Sequence, residues 1–206
     1  MHRDLKLENI MIDETGYIKI IDYGLAKILK EGSVAMSYCG TPEYLAPEMI
    51  NSSGHDLSVD WWAVGILLYE MLIGVTPFFN RNRNVLMSKI KHSKIVFPDR
   101  KTYKIAYSDE LVDLISKLLK KDKSKRLGST NDWQEIIEHP FFATLDIDAL
   151  EAMKLEPPFL PSGGNNAVNT AYFNVKQGVT ESIVPCKSMQ IIKENQDAFD
   201  DFTQRK

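Results

Sequence analysis

The longest apolar run, WWAVGILLYEMLIGV at residues 61–75, most limits what this chain can fold into. It is shorter than the roughly 20 residues that a membrane-spanning helix needs, and Glu70 interrupts it. A helix that is apolar on all sides is typical of the centre of a large protein core. We therefore expect a buried helix with Ser58 as its N-cap and an end near Gly74.

Further helices are predicted around this buried helix. Residues 84–91 and the stretch NDWQEIIEH favour short helices, and SDELVDLISKLLKK favours a longer amphipathic one. In the amphipathic stretch, acidic residues fill the first turn and lysines the last, which suits the helix dipole. Its apolar face is expected to comprise Leu111, Leu114, Ile115, Leu118 and Leu119.

The N-terminal part has a different pattern. The runs NIMID and YIKIID are typical of short strands, and ETG between them supplies a turn at Gly16. Residues 22–48 show no clean period, and long irregular segments inside compact domains are usually functional. The fold class is therefore predicted to be mainly α with one short β-hairpin near the N-terminus.

Composition excludes several classes of function. The formal net charge is −3, so no overall basic surplus indicates a nucleic-acid partner, and no segment is suited to span a membrane. Two cysteines are too few for a disulfide framework, and the first residues lack the apolar stretch of a signal peptide. The predicted location is the cytoplasm, with the nucleus as the alternative.

The stretch HRDLKLEN at residues 2–9 carries the chemistry. Phosphoryl transfer needs a carboxylate to orient the attacking hydroxyl, a cation near the phosphate, and oxygen ligands for magnesium. Asp4, Lys6 and Asn9 supply such groups, and Asp22 follows in DYGLAK. Taken alone, His-Arg-Asp would more often be a surface salt-bridge cluster, so the hypothesis depends on the motifs that follow.

These motifs resemble the protein kinase family. HRDLKLEN is similar to the kinase catalytic loop, and DYG is similar to Asp-Phe-Gly with Tyr23 in place of phenylalanine. APE at residues 46–48 is similar to the end of the activation segment. Three such motifs in the family's order are far more specific than any one of them.

Other stretches resemble one group of kinases, the AGC group that includes protein kinases A, C and G. They are GTPEYLAPE, DWWAVGILLYEML, KRLG and HPFF, and, in the tail, EPPFLP, NTAYF and FDDFT. The resemblance implies the larger C-terminal lobe of the kinase fold at residues 1–142 and an extended AGC-type tail at residues 143–206.

The resemblance implies specific roles in the nucleotide site. Asp4 would be the catalytic base, and Lys6 would stabilise the γ-phosphate of ATP. Asn9 and Asp22 would hold Mg²⁺. Met11, on the strand after the loop, would form the floor of the adenine site. In the tail, Phe173 would be a further nucleotide contact.

A second set of residues would organise the loop and contact the substrate. Thr41 would brace Asp4 and Lys6, a combination similar to serine/threonine kinases rather than tyrosine kinases. Asp60 would anchor the catalytic loop from the buried helix. Glu48 and Arg126 would form a buried ion pair.

Several surface residues have two open interpretations. By resemblance, Ser37 would take an activating phosphate from an upstream kinase, with Arg3 and Lys27 as its cationic partners. It could also be an ordinary solvated serine. Glu8 and Glu70 would receive basic residues of a protein substrate, or would be charges on a solvated face.

At the end of the tail, FDDFT has two interpretations as well. It would be a docking motif with Thr203 as a phosphorylation site, or the frayed end of the chain.

Some kinase elements are absent from the sequence. It contains no Gly-x-Gly-x-x-Gly stretch and no Val-Ala-Ile-Lys stretch, which cover and hold the phosphates in kinases. The sequence therefore predicts the larger lobe without the N-terminal lobe. Two functions follow. The chain is the C-terminal part of a serine/threonine kinase for basic protein substrates and is inactive when isolated, or it is a noncatalytic module that binds substrates or regulators.

Overall fold

The computed structural model describes residues 1–30 and 32–161, and its centre is the long helix α2, Ser58–Ile73. Trp62 and Ile66 on this helix are completely buried, which confirms the predicted core helix. Gly74 ends it with a φ of 87°. The predicted N-cap is wrong, because Ser58 is already the first helical residue. Asp56 Oδ1 instead accepts hydrogen bonds from the Ser58 backbone N (3.0 Å) and hydroxyl (2.6 Å).

The amphipathic helix packs directly on α2. This helix, α5, spans Asp109–Leu118 and is capped by Ser108, whose hydroxyl accepts from Leu111 N. The predicted apolar face is confirmed, since Leu114, Ile115 and Leu118 have no exposed surface. The two helices approach closely at Gly65, where a Cβ atom would lie 2.9 Å from the side chain of Leu118. Glycine at this position allows the contact.

The predicted hairpin is also confirmed. Strands β1 (Ile10–Ile12) and β2 (Ile18–Ile20) are antiparallel, with Ile10 opposite Ile20 and Ile12 opposite Ile18. Gly16 in the connecting turn has a φ of 83°, a backbone conformation that favours glycine. Residues 2–9 lead directly into the hairpin, and Ile21 N at its end donates to Asn9 O at 2.9 Å.

Short helices complete the described part of the chain, and the architecture is mainly α as predicted. They are α1 (Pro47–Ile50), α3 (Arg83–His92), α4 (Arg100–Tyr103), α6 (Trp133–Ile137) and α7 (Ile147–Glu151). Single 3-10 turns occur at Leu7–Asn9, Tyr23–Leu25, Pro42–Tyr44, Lys123–Lys125 and Pro140–Phe142.

The irregular segment between β2 and α1 is attached to the start of α2. Ala35 and His55 exchange two backbone hydrogen bonds of 2.8 and 2.9 Å. At the other end of the described part, residues 152–161 contain no helix or strand. Within residues 1–30 and 32–161, no helix has the length and apolar character needed to cross a membrane. The predictions for Phe173 and Thr203 lie outside the described residues.

Candidate active site

The catalytic-loop residues meet a threonine that is distant in sequence. Asp4 Oδ1 accepts hydrogen bonds from Thr41 N (2.9 Å) and from the Thr41 hydroxyl (2.7 Å). Lys6 Nζ donates to Asp4 Oδ2 (2.9 Å) and to Thr41 Oγ1 (3.0 Å). The three side chains therefore form a closed ring of hydrogen bonds. This ring joins residues 2–9 to the loop before α1.

The ring also sets the charge of its members. Burial of Asp4 by itself would raise its pKa, but hydrogen bonds from Thr41 and Lys6 outweigh burial and hold the pKa of Asp4 below its usual value. The hydrogen bond to Asp4 in turn raises the pKa of Lys6, and the nearby carboxylates of Glu8 and Asp22 add to this effect. At neutral pH the site therefore contains an ionised carboxylate beside an ammonium group.

The catalytic loop is anchored from the buried helix α2. Asp60 Oδ2 accepts from His2 N (2.6 Å), and Asp60 Oδ1 accepts from Arg3 N (2.8 Å). Arg3 has a φ of 72°, which a non-glycine residue adopts only when its surroundings enforce it. The two hydrogen bonds to one carboxylate provide that constraint, so Asp60 lies where the sequence placed a loop anchor.

His2 is a second anchor that sequence reasoning missed. Its Nδ1 accepts from Asp4 N (3.3 Å), so Nε2 carries the proton and donates to Ile21 O (3.1 Å). His2 thereby links Asp4 to the residue before Asp22, and its ring packs edge-on against Tyr23. Its position inside the His-Arg-Asp motif was the signal that could have indicated this role. Tyr23 itself is 63% exposed, so its extra hydroxyl needs no buried partner.

Two side-chain oxygens near the ring suit a magnesium ion. Asn9 is buried, and its Nδ2 donates to Asp4 O (2.9 Å) and, over a longer distance, to Asp4 Oδ2 (3.4 Å). This orientation leaves Oδ1 as an acceptor. Asp22 Oδ1 accepts from Gly24 N (3.2 Å), which leaves Oδ2. Amide and carboxylate oxygens are the ligand types that Mg²⁺ prefers, so this donor set fits the ion.

Met11, the residue predicted for the floor of the adenine site, is half-buried on β1 opposite Lys19.

Ser37 lies on the exposed side of the irregular segment. Its hydroxyl accepts a hydrogen bond from Arg3 Nη1 (2.6 Å), and Arg3 Nε is held by Leu25 O (2.7 Å). Among the described residues, no contact joins the Lys27 side chain to Ser37. Lys27 and Arg3 nevertheless both lower the pKa of His55, although burial is the larger cause. Arg3 and Lys27 are thus both close enough to His55 to lower its pKa.

Both candidate substrate carboxylates, Glu8 and Glu70, affect a buried tyrosine, Tyr44. Tyr44 is 8% exposed and donates a short hydrogen bond to Glu70. Burial and the Glu70 carboxylate raise the pKa of Tyr44, with a smaller effect of Glu8. Glu8 itself is exposed. Sequence reasoning did not identify Tyr44, although it stands inside the GTPEY stretch.

A buried ion pair lies beneath the irregular segment. Arg126 Nη1 and Nη2 donate to the two carboxylate oxygens of Glu48 at 2.6 and 2.9 Å. The Arg126 side chain has no exposed surface and also donates to the carbonyls of Ser58 and Lys120. It therefore joins α1, α2 and the end of α5.

Comparison with known proteins yields one family. The model of the protein kinase domain matches residues 1–142. The human cAMP-dependent protein kinase catalytic subunit PRKX is 41% identical over 196 residues, which are 94% of this chain and 52% of that protein. The RAC serine/threonine-protein kinase of Drosophila melanogaster is 41% identical over 185 residues, which are 89% of this chain and 29% of that protein. Protein kinase C of the same fly is 40% identical over 166 residues, which are 80% of this chain and 22% of that protein. The chain spans from about a fifth to about a half of the length of the curated relatives it matches.

Proposed function

Since the chain belongs to the protein kinase family, in its AGC group, we propose that it transfers the γ-phosphate of ATP to serine and threonine hydroxyls of proteins. The observation that carries this proposal is the hydrogen-bonded ring of Asp4, Lys6 and Thr41. It places an ionised carboxylate and an ammonium group side by side, which are the groups that phosphoryl transfer needs.

Asp4 orients the attacking hydroxyl and accepts its proton. The new bond joins the substrate oxygen to the γ-phosphorus, the bond to the β-phosphate bridge breaks, and ADP leaves. Because hydrogen bonds hold the pKa of Asp4 low, the carboxylate is ionised and available as an acceptor at neutral pH. Lys6 neutralises charge on the transferred group, and Thr41 keeps both side chains in position.

Asn9 and Asp22 are the residues that would hold Mg²⁺. When bound, the ion neutralises charge on the phosphate oxygens. Hydrogen bonds within the chain fix the orientation of both side chains and leave one oxygen of each as an acceptor. The arrangement therefore costs little reorganisation on binding.

Protein substrates with basic residues fit the carboxylates beside Tyr44. Glu8 and Glu70 would each attract a lysine or arginine near the phosphorylated residue, which is a proposal about the substrate. We expect Glu8→Gln to raise the KM for a basic peptide several-fold and to leave kcat nearly unchanged, because uniform binding energy affects KM. The Glu8 side chain is exposed, so the substitution should not disturb the fold.

An activating phosphate on Ser37 is supported by the guanidinium of Arg3. A phosphate adds nearly two negative charges and three acceptor oxygens beside a group that already contacts the serine hydroxyl. Because Arg3 is adjacent to Asp4, this contact would stabilise the catalytic loop. An upstream kinase is therefore part of the proposal, and a Ser37→Ala variant should be poorly active.

The test measures transfer of labelled γ-phosphate to a basic serine peptide. The 206 residues contain no glycine-rich loop. We therefore expect turnover from the longest natural polypeptide that contains them and none from these residues alone. Asp4→Asn should lower kcat by about 10²–10⁴-fold. Asp148→Asn is the matched control, because Asp148 is exposed on α7 and should have no effect. Equal activity of Asp4→Asn and the unchanged protein would refute the proposal.

A noncatalytic binding module remains a second candidate because of the hairpin surface, which comprises Ile12, Ile18, Ile20 and Ile21. These four isoleucines are between 39% and 61% exposed in the described structure. Large apolar side chains exposed close together in sequence favour a contact site for another polypeptide. If the candidate is correct, Asp4→Asn leaves cellular function intact, whereas Ile18→Ser removes it.

A further inference from the structure

The charge of this chain is strongly segregated, although its overall value is small. Residues 81–104 contain eight of the 25 Lys and Arg residues and one of the 28 Asp and Glu residues. This segment therefore has a formal charge of +7, and the rest of the chain has a formal charge of −10. Because the two parts sum to a net charge of −3, the positive surplus of this segment is not visible in the total. For this reason composition alone did not reveal it.

The C-terminal half of this segment is firmly attached to the core. The Tyr69 hydroxyl donates to Val96 O at 2.7 Å, and the Tyr107 hydroxyl donates to Pro98 O. Phe97 packs its ring against both tyrosines. The surface that these residues present is therefore fixed by packing and does not need a partner to form.

The one acidic residue of the segment, Asp99, already accepts hydrogen bonds within the chain. Asp99 caps α4, and its Oδ1 accepts from the backbone N (2.8 Å) and hydroxyl (2.7 Å) of Thr102. The arginine of α4 is used as well, since Arg100 pairs with Asp109 and lies 4.6 Å from the centre of the Tyr107 ring. Between residues 91 and 104, what remains for a partner is a set of lysines.

We call this set, with its apolar neighbours, the basic face: Lys91, Lys94, Val96, Lys101, Tyr103 and Lys104. None of the four lysines forms an ion pair within the part of the chain that the structure describes. Lys94, Lys101 and Lys104 are exposed, and Lys91 is half-buried. Between them, Val96 is 73% exposed and Tyr103 is 64% exposed.

We propose that the basic face binds the surface of an anionic lipid bilayer. Each lysine near such a surface is attracted by the negative headgroups, and tyrosine is favoured where headgroups meet acyl chains. Val96 and Tyr103 would enter this interface while the lysines contact the headgroups. The remaining −10 of formal charge is repelled by the same surface, so the molecule would bind in one orientation.

The lysines favour a bilayer over an acidic polypeptide. Recognition of individual carboxylates favours arginine, whose planar guanidinium forms paired hydrogen bonds, and Arg100, the one arginine in residues 91–104, is already engaged. Lysines are mobile point charges on flexible stems, which suit a surface of diffusing headgroups. An exposed valine among them adds apolar contact that a strongly acidic chain would not use.

The test is co-sedimentation of the 206-residue chain with vesicles of phosphatidylcholine, with or without phosphatidylserine. We expect binding only with phosphatidylserine and a loss of binding at high ionic strength. The variant Lys94→Gln/Lys101→Gln/Lys104→Gln should bind about 100-fold more weakly, at about five-fold for each lysine. Val96→Ser should weaken binding without changing its salt dependence, because it removes only apolar contact.

A matched control removes the same charge elsewhere. Lys30, Lys120 and Lys154 are exposed and lie outside the basic face, so their replacement by glutamine should change binding less than two-fold. Circular dichroism establishes that each variant is folded. The proposal is overturned if the folded chain ignores phosphatidylserine vesicles or if both triple variants lose binding equally. It is also overturned if polyglutamate binds the basic face while the vesicles do not. None of these readouts depends on phosphoryl transfer.

Discussion

Removal of one partner from the buried pair of Glu48 and Arg126 should destabilise the chain severely. Glu48→Gln leaves a guanidinium without its counter-charge at a position where the Arg126 side chain has no exposed surface. The two short hydrogen bonds of 2.6 and 2.9 Å would be replaced by one neutral acceptor and one amide group that repels the guanidinium. We expect a loss of about 3–5 kcal/mol in the free energy of unfolding.

A second substitution separates the buried charge from the packing. Replacing Arg126 by methionine in the Glu48→Gln background removes the uncompensated charge, so part of the loss should be recovered. Recovery should be incomplete because the carbonyls of Ser58 and Lys120 lose their donor. The double variant should therefore be less destabilised than the sum of the two single variants, with a coupling energy of about 0.5–3 kcal/mol.

Urea unfolding followed by circular dichroism measures these differences. The control is Lys125→Gln, which breaks an exposed ion pair with Asp122 at 3.7 Å and should cost less than about 1 kcal/mol. If the free energy of unfolding of Glu48→Gln differs from that of the unchanged chain by less than about 1 kcal/mol, the reasoning is refuted. A buried guanidinium without its counter-charge should destabilise the chain by more than that.

Three further predictions concern the loop anchor, one glycine and one lysine. Asp60→Asn removes an acceptor from one loop amide and should cost about 1–3 kcal/mol in thermal unfolding; an unchanged midpoint would contradict the anchor role. Gly40→Ala places a Cβ atom 2.6 Å from Arg3 O at a φ of 103°, so it should be more destabilising than Gly32→Ala, where no atom lies within 4 Å. Burial, and to a smaller extent the charge of Arg126, lowers the pKa of Lys121 from 10.5 to about 8. Lys121 therefore loses its proton at a lower pH in the folded chain than in the unfolded chain. The free energy of unfolding should therefore rise between pH 8 and pH 10.5, and Lys121→Met should abolish that rise.

Much of the fold follows from local patterns. The buried helix, the amphipathic helix and the hairpin each depend on a period or a turn residue that neighbouring side chains display, and the structure confirms all three. The start of α2 was misplaced by one residue because Leu57 occupies the N-cap position, and the Ser58 hydroxyl donates to Asp56 instead of capping the helix. Leucine is a poor capping residue, so local preference could not have placed the N-cap at Leu57.

The candidate site was predictable in its members and in several of its contacts. The resemblance implied that Thr41 braces Asp4 and Lys6, whereas the closed ring of hydrogen bonds that they form depends on the path of the chain between them. The partnership of Tyr44 with Glu70 was not foreseen, because 26 residues separate two side chains with no shared pattern.

The sequence by itself determined the family and the main helices, because motif spacing and hydrophobic period are local properties of the chain. Tertiary structure decided which charges are paired. It pairs Arg100 with Asp109, uses Asp99 as the cap of α4, and leaves the lysines of the basic face without an ion-pair partner among the described residues. The physical reason is that the energy of a charge depends on its burial and its partners, and both are set only when distant segments pack together.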